Sequence, residues 1–169
     1  MQESRLRRLT GCGLMAAIIF VVTWLVRVPV PVSGGAYLNL GDAVIFVCLY
    51  LAGGPSAAAA AAIGSALADL AAGAAAYIVP TALIKAAMVF AAAPLMARRT
   101  FGWYVCGCAA GGAVMTAGYA LFETLFFGPV YALTSLPFNL VQWVGSMLAA
   151  GALYEVARRV APVLRRRFE

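Results

Sequence analysis

From Leu9 to Val160 the chain is a succession of apolar runs, most of them about long enough to cross a bilayer. A spanning helix takes about 20 mostly apolar residues, and the runs fall at about 9–28, 41–52, 56–72, 78–97, 103–127 and 136–160. Composition enters at one point. Only 11% of the 169 residues are charged and 64% are hydrophobic, whereas a soluble domain is about 25% charged. No water-facing surface can be built from that. The expectation is an all-α integral membrane bundle of six transmembrane helices, a single domain over 1–169 with no length left for a soluble one. The first run is too long for the core of a cleaved leader and is expected to be a retained helix.

The breaks between runs differ. Pro29-Val30-Pro31-Val32-Ser33-Gly34-Gly35-Ala36-Tyr37 cannot continue a helix and predicts a loop of about ten residues, long where two to eight is usual. Gly53-Gly54-Pro55 predicts a tight turn, and Gly128-Pro129 predicts a second outer loop ahead of the sixth helix. The alanine-rich run 56–72 reads as a helix that neighbours approach closely. The run 41–52 is short for a full span and is expected to start inside the bilayer or beneath the long loop.

Basic residues set the expected orientation. Arg5, Arg7, Arg8, Arg98, Arg99, Arg158, Arg159, Arg165, Arg166 and Arg167 would share one side, while the other side holds only Arg27, with Lys85 inside a helix. The positive-inside rule places that arginine side, and both termini, in the cytoplasm of a multi-pass cell-membrane protein. The net charge of +6 is therefore a topology signal, and no nucleic-acid partner is expected. Cys106-Gly107-Cys108 lacks histidine or nearby cysteine companions and reads as small buried residues, with no metal site.

Against this background the polar residues stand out. A charge in hydrocarbon is costly unless paired or wetted, and marks a candidate functional site. Asp42, Asp69, Lys85, Glu123, Asn139 and Gln142 all project to the outer halves of their helices at about 1.5 Å per residue, while the inner halves are Ala, Gly, Leu and Val. A channel or self-sufficient carrier would place polar groups through the depth or at the midplane. A pocket open only to the outside suits a receptor, with Asn39 and the aromatic rings of Tyr37, Tyr77, Tyr119, Tyr131 and Trp143 as further lining. Each residue also has a plainer reading. Asp42 and Asp69 could pair with Lys85 or Arg27 and brace helices, and Asp42 could cap the second helix. Glu123 could sit in the headgroup zone, Asn139 could cap the sixth helix after Pro137, and the aromatic residues could form an interfacial belt.

Three stretches carry a family resemblance: Asn39-Leu40-Gly41-Asp42-Ala43, Gly64-Ser65-Ala66-Leu67-Ala68-Asp69 and Thr81-Ala82-Leu83-Ile84-Lys85. Together they resemble the S components of energy-coupling factor (ECF) transporters, in the riboflavin or hydroxymethylpyrimidine group. Ala86 departs from the glycine expected after the lysine. The resemblance implies a six-helix subunit that binds a vitamin, a vitamin precursor or a metal ion from outside. It implies partners as well: a transmembrane T component and two cytoplasmic ATPases. No Gly-x-x-x-x-Gly-Lys-Ser/Thr motif occurs here, so ATP is expected on the partner chains and no cofactor on this one. The resemblance also implies that Gly13-x-x-x-Ala17 docks on the T component, small residues four apart forming a groove for a partner helix. The alternative is that Gly13 and Ala17 pack within their own bundle.

An enzyme is not expected. Histidine is absent, and neither a helical carboxylate pair nor a Gly-x-Ser-x-Gly elbow occurs. The competing reading is an assembly protein whose outer charges only brace helices. For a receptor, Asp42, Asp69 and Glu123 set against Arg27 and Lys85 suit a polar, neutral or weakly cationic ring compound. Without histidine a metal ion fits poorly. Riboflavin, hydroxymethylpyrimidine-like or pyridoxine-like compounds and pantothenate are all compatible.

Overall fold

The computed structural model describes residues 2–29 and 36–165. Residues 30–35 of the expected outer loop, and Arg166 and Arg167, lie outside the described residues.

Six helices build the chain: α1 (Gln2–Leu25), α2 (Gly41–Ala52), α3 (Gly54–Ala72), α4 (Ile78–Met96), α5 (Phe101–Phe127) and α6 (Pro129–Arg165). Five are long and apolar enough to cross a membrane; α2, with 12 residues, is the exception. At 1.5 Å per residue it is about 18 Å long, short of the roughly 30 Å hydrocarbon core. The helices form a closed ring in which α1 packs on α3, α3 on α4, α4 on α5 and α5 on α6. Short α2 completes it, leaning on α6 and also touching α1, α3 and α4.

Where the first loop was expected there is a small antiparallel hairpin, β1 (Arg27–Pro29) and β2 (Tyr37–Asn39), with Val28 opposite Leu38. Helix α1 accordingly stops at Leu25 and not at Val28. Pro29 cannot donate to a helix, and the residue before a proline is pushed toward extended backbone. Strand β2 touches both α1 and α6 and so lies over the end of the ring where α2 begins.

The second outer loop is absent. Helix α6 starts at Pro129, and only Gly128, at φ 93°, separates it from α5. Proline suits the first helical turn because its missing N–H would be unpaired there anyway. Pro137 then sits inside α6, as membrane helices allow when neighbours cover the freed backbone. The tight turn at Gly53 is present, with φ 85° and Pro55 in the first turn of α3.

The bundle is apolar on its flank as well as in its core. Leu14, Ile18, Val21, Leu67, Val79, Leu83, Phe90, Leu125, Leu133 and Leu148 are exposed around its flank, a surface suited to lipid. The interior is built from close crossings. Gly64 of α3 lies against α1, where a Cβ would come within 2.5 Å of the Ala16 carbonyl and 3.0 Å of Ile19. The same crossing places the Cys12 thiol 3.5 Å from the Ser56 carbonyl oxygen. A second layer of packing at the other end joins Tyr50, Tyr104 and Tyr154, with ring centroids 5.0–5.5 Å apart.

Candidate functional site

At the hairpin end, residues from every helix but α2 converge on one cavity. Its lining comprises Thr23 of α1, Ala36, Tyr37 and Asn39 of the hairpin, Ser65 and Asp69 of α3, and Tyr77. Thr81 and Lys85 of α4, Tyr119 and Glu123 of α5, and Asn139 and Gln142 of α6 complete it. Its water-accessible volume is about 40 Å³, room for a few water molecules, so a ring-sized ligand enters only if the walls move apart. Eight of the ten candidate residues line it: Tyr37, Asn39, Asp69, Tyr77, Lys85, Glu123, Asn139 and Gln142.

The other two stand behind the wall. Asp42 does not cap α2, which has no side-chain cap. Asn39 takes that place, its Oδ1 accepting the Gly41 N–H at 2.8 Å. Asp42 instead accepts from Lys85 Nζ at 2.5 Å and from Gln142 Nε2 at 2.8 Å. Gln142 Oε1 in turn accepts the backbone N–H of Asn39 at 2.9 Å and its Nδ2 at 3.3 Å. This cluster ties α2, α4, α6 and β2 together and uses both Asp42 oxygens. Trp143 is pressed onto Gly112 of α5, where any Cβ would run into the indole ring. It is not part of the cavity wall.

Asp69 does not pair with Lys85 or Arg27. Its Oδ1 accepts from the Tyr37 hydroxyl at 2.6 Å, while its Oδ2 is buried with no hydrogen-bond partner. Burial and then the adjoining Asp69 charge push the Tyr37 phenol well above its usual range, so Tyr37 stays a donor. Glu123 is buried, 2% exposed. It accepts from Tyr77 OH at 3.1 Å and from the Ser135 hydroxyl. Tyr77 also bonds Tyr131 at 3.0 Å, and Thr81 bonds Tyr119 at 3.0 Å. The tyrosines therefore face inward and link α4, α5 and α6. Asn139 lies inside α6, not at its start, and its Nδ2 is buried without a partner.

Three lining residues that the sequence did not single out as ligands, Thr23, Ser65 and Thr81, are small hydroxyl residues inside apolar helices. The Thr23 and Ser65 hydroxyls are buried and unpartnered. The signal available for Ser65 and Thr81 was position: each lies four residues before a flagged charge, one turn away on the same helix face. Cys106 is exposed and Cys108 buried, so the two thiols point apart. Gly13 and Ala17 are exposed on α1, and a Cβ at Gly13 would meet nothing within 4 Å. Packing within the bundle is thereby ruled out for Gly13; Cys12 and Ala16, on the adjacent face of α1, are the residues that meet α3.

Residues 4–159 match the family described as ECF-type riboflavin transporter, S component. The chain belongs to this family. It is an S component, the substrate-binding subunit of an ECF-type transporter. A relative from Pyrococcus woesei, described as an uncharacterized protein in the gap 3′ region, is 33% identical over 148 residues. That match covers 86% of this chain and 99% of the relative. Among solved structures, the S component of a bacterial ECF transporter superposes with a TM-score of 0.72 at 20% identity, covering 96% of this chain and 99% of the other. ThiT from Listeria monocytogenes gives 0.69 at 20% identity, covering 95% and 97%. These two likenesses concern the fold, and both run through all six helices of this S component.

Proposed function

We propose that this S component captures a polar, ring-bearing vitamin or vitamin precursor in the hairpin-end cavity, with that end facing the outside of the cell membrane. The observation that carries the reading is the buried polar set left open around one cavity: Thr23 Oγ1, Ser65 Oγ, Asp69 Oδ2 and Asn139 Nδ2. A buried polar atom without a partner costs about 1–3 kcal/mol. Asp42, Lys85, Gln142 and Asn39 are by contrast matched to one another. The stated family supports riboflavin-like compounds; pyrimidine-like and pyridine-like rings and pantothenate share the required polarity.

The arginine-rich ends of the helices lie opposite the cavity, and the positive-inside rule makes them cytoplasmic together with both termini. Energy enters through partners, a transmembrane T component and two ATPases, with ATP consumed on those chains. The exposed Gly13 and Ala17 give α1 a flat strip for the T component, near its arginine-rich end.

Mass spectrometry of small molecules copurifying with the detergent-solubilised chain tests the capture role. A stoichiometric vitamin-like compound supports it. An empty protein with no thermal shift across a vitamin panel refutes it.

A further inference from the structure

A second cavity lies at the opposite end of the bundle, and solute capture makes no use of it. It opens between the Gly53–Gly54 turn and the end of α4, with Tyr50, Ala93, Ala97 and Arg99 in its wall. Its water-accessible volume is about 100 Å³, against about 40 Å³ at the hairpin end. That is room for several water molecules or for one phosphate group. Glycine at the turn keeps the space open: a Cβ on Gly54 would stand 3.5 Å from the Ala93 Cβ, in the gap between α3 and α4.

Arg99 is built into this wall. Among the described residues it is the one non-glycine with positive φ, 62°, a left-handed backbone that is costly for a residue with a Cβ. Three contacts hold it there. Its Nη1 donates to the Tyr50 carbonyl at 2.7 Å, and its guanidinium lies 4.8 Å from the Tyr50 ring centroid. Its own carbonyl accepts from the Tyr154 hydroxyl at 3.2 Å. One nitrogen of the fork is thus engaged, and the positive charge stands at the cavity. The adjoining Arg98 guanidinium lies 3.8 Å from the centroid of the Trp103 ring. Neither arginine has a carboxylate within 4.0 Å among the described residues. The α6 arginines differ: Arg158 and Arg159 both pair with Glu155, at 2.8 and 3.1 Å. The flank leading to the cavity is apolar. Val79, Leu83, Ala87, Phe90, Pro94 and Ala97 are exposed at spacings of three and four along α4, one continuous stripe that ends in the cavity wall.

We propose that this cavity seats the phosphate of an anionic phospholipid from the leaflet on the arginine-rich side, with an acyl chain lying along the α4 stripe. An arginine fork takes phosphate oxygens through charge-assisted bonds, and basic pockets between membrane helices receive anionic headgroups. A lipid uses both halves of the arrangement, the charged pocket and the apolar stripe that runs into it. A soluble anion would use the first alone. The seated headgroup clips the turn after α4 to the turn between α2 and α3. It thereby steadies the far end of α2, the short helix whose first turn carries Asp42.

Native mass spectrometry of the full-length chain in detergent, titrated with phosphatidylglycerol or with phosphatidylcholine of the same acyl chains, tests this. The first phosphatidylglycerol should bind at least tenfold tighter than phosphatidylcholine. Arg99→Gln should lower that affinity at least fivefold. Gly54→Leu fills the cavity while keeping every charge, and should lower it as much; it carries the test if the Arg99 variant does not fold. The double variant Arg158→Gln/Arg159→Gln removes more basic charge from the same side and should change the affinity less than twofold. Equal binding of the two lipids, or an equal loss in the α6 double variant, overturns the proposal in favour of diffuse attraction to a basic surface. Displacement of phosphatidylglycerol by millimolar inorganic phosphate assigns the cavity to a soluble anion and overturns the lipid. Unchanged lipid binding by Gly54→Leu, with copurification of the T component lost, assigns the cavity to that protein and overturns the proposal as well.

Discussion

The Asp42–Lys85 contact supplies the sharpest stability test, because a buried ion pair responds unequally to losing one partner and losing both. Lys85→Met strands the Asp42 carboxylate at 2% exposure, with only Gln142 Nε2 at 2.8 Å to compensate. Breaking a buried pair from one side costs about 3–5 kcal/mol. At about 2–4 °C per kcal/mol for a chain of this size, the melting temperature should fall by roughly 10 °C. Asp42→Asn leaves the ammonium unpaired and should cost a similar amount, although the amide oxygen still accepts from Gln142. The double variant Asp42→Asn/Lys85→Met removes both charges and keeps that acceptor. Replacing a buried pair by neutral groups of similar volume is often close to neutral, so the double variant should lie within about 2 kcal/mol of the parent. A thiol-reactive dye in detergent reads the transition directly, since Cys48 and Cys108 are buried and become reactive only on unfolding. The double variant melting near the sum of the two single losses would refute the closed-brace argument. Coupling of about 2 kcal/mol or more between the sites would support it.

Other expectations follow from the packing and the surface. Gly13→Leu adds a side chain into open space, so melting temperature and ligand binding should stay unchanged while copurification with the T component and ATPases is lost; normal copurification would remove α1 as the docking strip. Gly64→Val drives a branched side chain into the Ala16 carbonyl and Ile19, and should destabilise the chain by about 1–3 kcal/mol as overpacking does, measured by the same dye assay. A fluorescent-protein fusion at the C-terminus should be bright and an alkaline phosphatase fusion inactive if that end is cytoplasmic; the reverse pattern would invert the proposed orientation.

Much of this architecture is legible in the sequence because lipid imposes one strong rule: backbone polar groups must be satisfied within each span. That rule makes long apolar runs into helices, and α3, α4 and α5 appear within about two residues of their expected bounds. The misses are places where a local breaker had two outcomes. Pro29 barred the first helix from continuing, and the residues just before it became a strand, with Val28 opposite Leu38. Gly128-Pro129 looked like a loop but placed a proline in the one helical turn that tolerates it. The gathering of Tyr37, Asp69, Lys85, Glu123 and Gln142 was visible as a common depth. The pairing among them was not, since depth fixes height along a helix and leaves rotation about its axis open.

Rotation is what separates Lys85 from Asp69, two residues that sequence reasoning treats alike. Lys85 lies 43 positions from Asp42, and Gln142 lies 100 from it, so their meeting depends on how α2 settles between α4 and α6. Asp69 is the nearest carboxylate to Lys85 in sequence, yet α3 turns it toward β2 and Tyr37. Residues two apart on a strand share a face, so the short strand sends Tyr37 to α3 and Asn39 to α6. The hairpin is thereby anchored to both groups at once, by one bond to Asp69 and two to Gln142 of the closed brace. Had Lys85 reached Asp69 instead, Asp42 would be the unmatched charge, but it stands behind the cavity wall where no ligand could reach it. The observed pairing leaves the unmatched oxygen on Asp69, which lines the cavity, and that placement is what favours the proposed capture role over a brace.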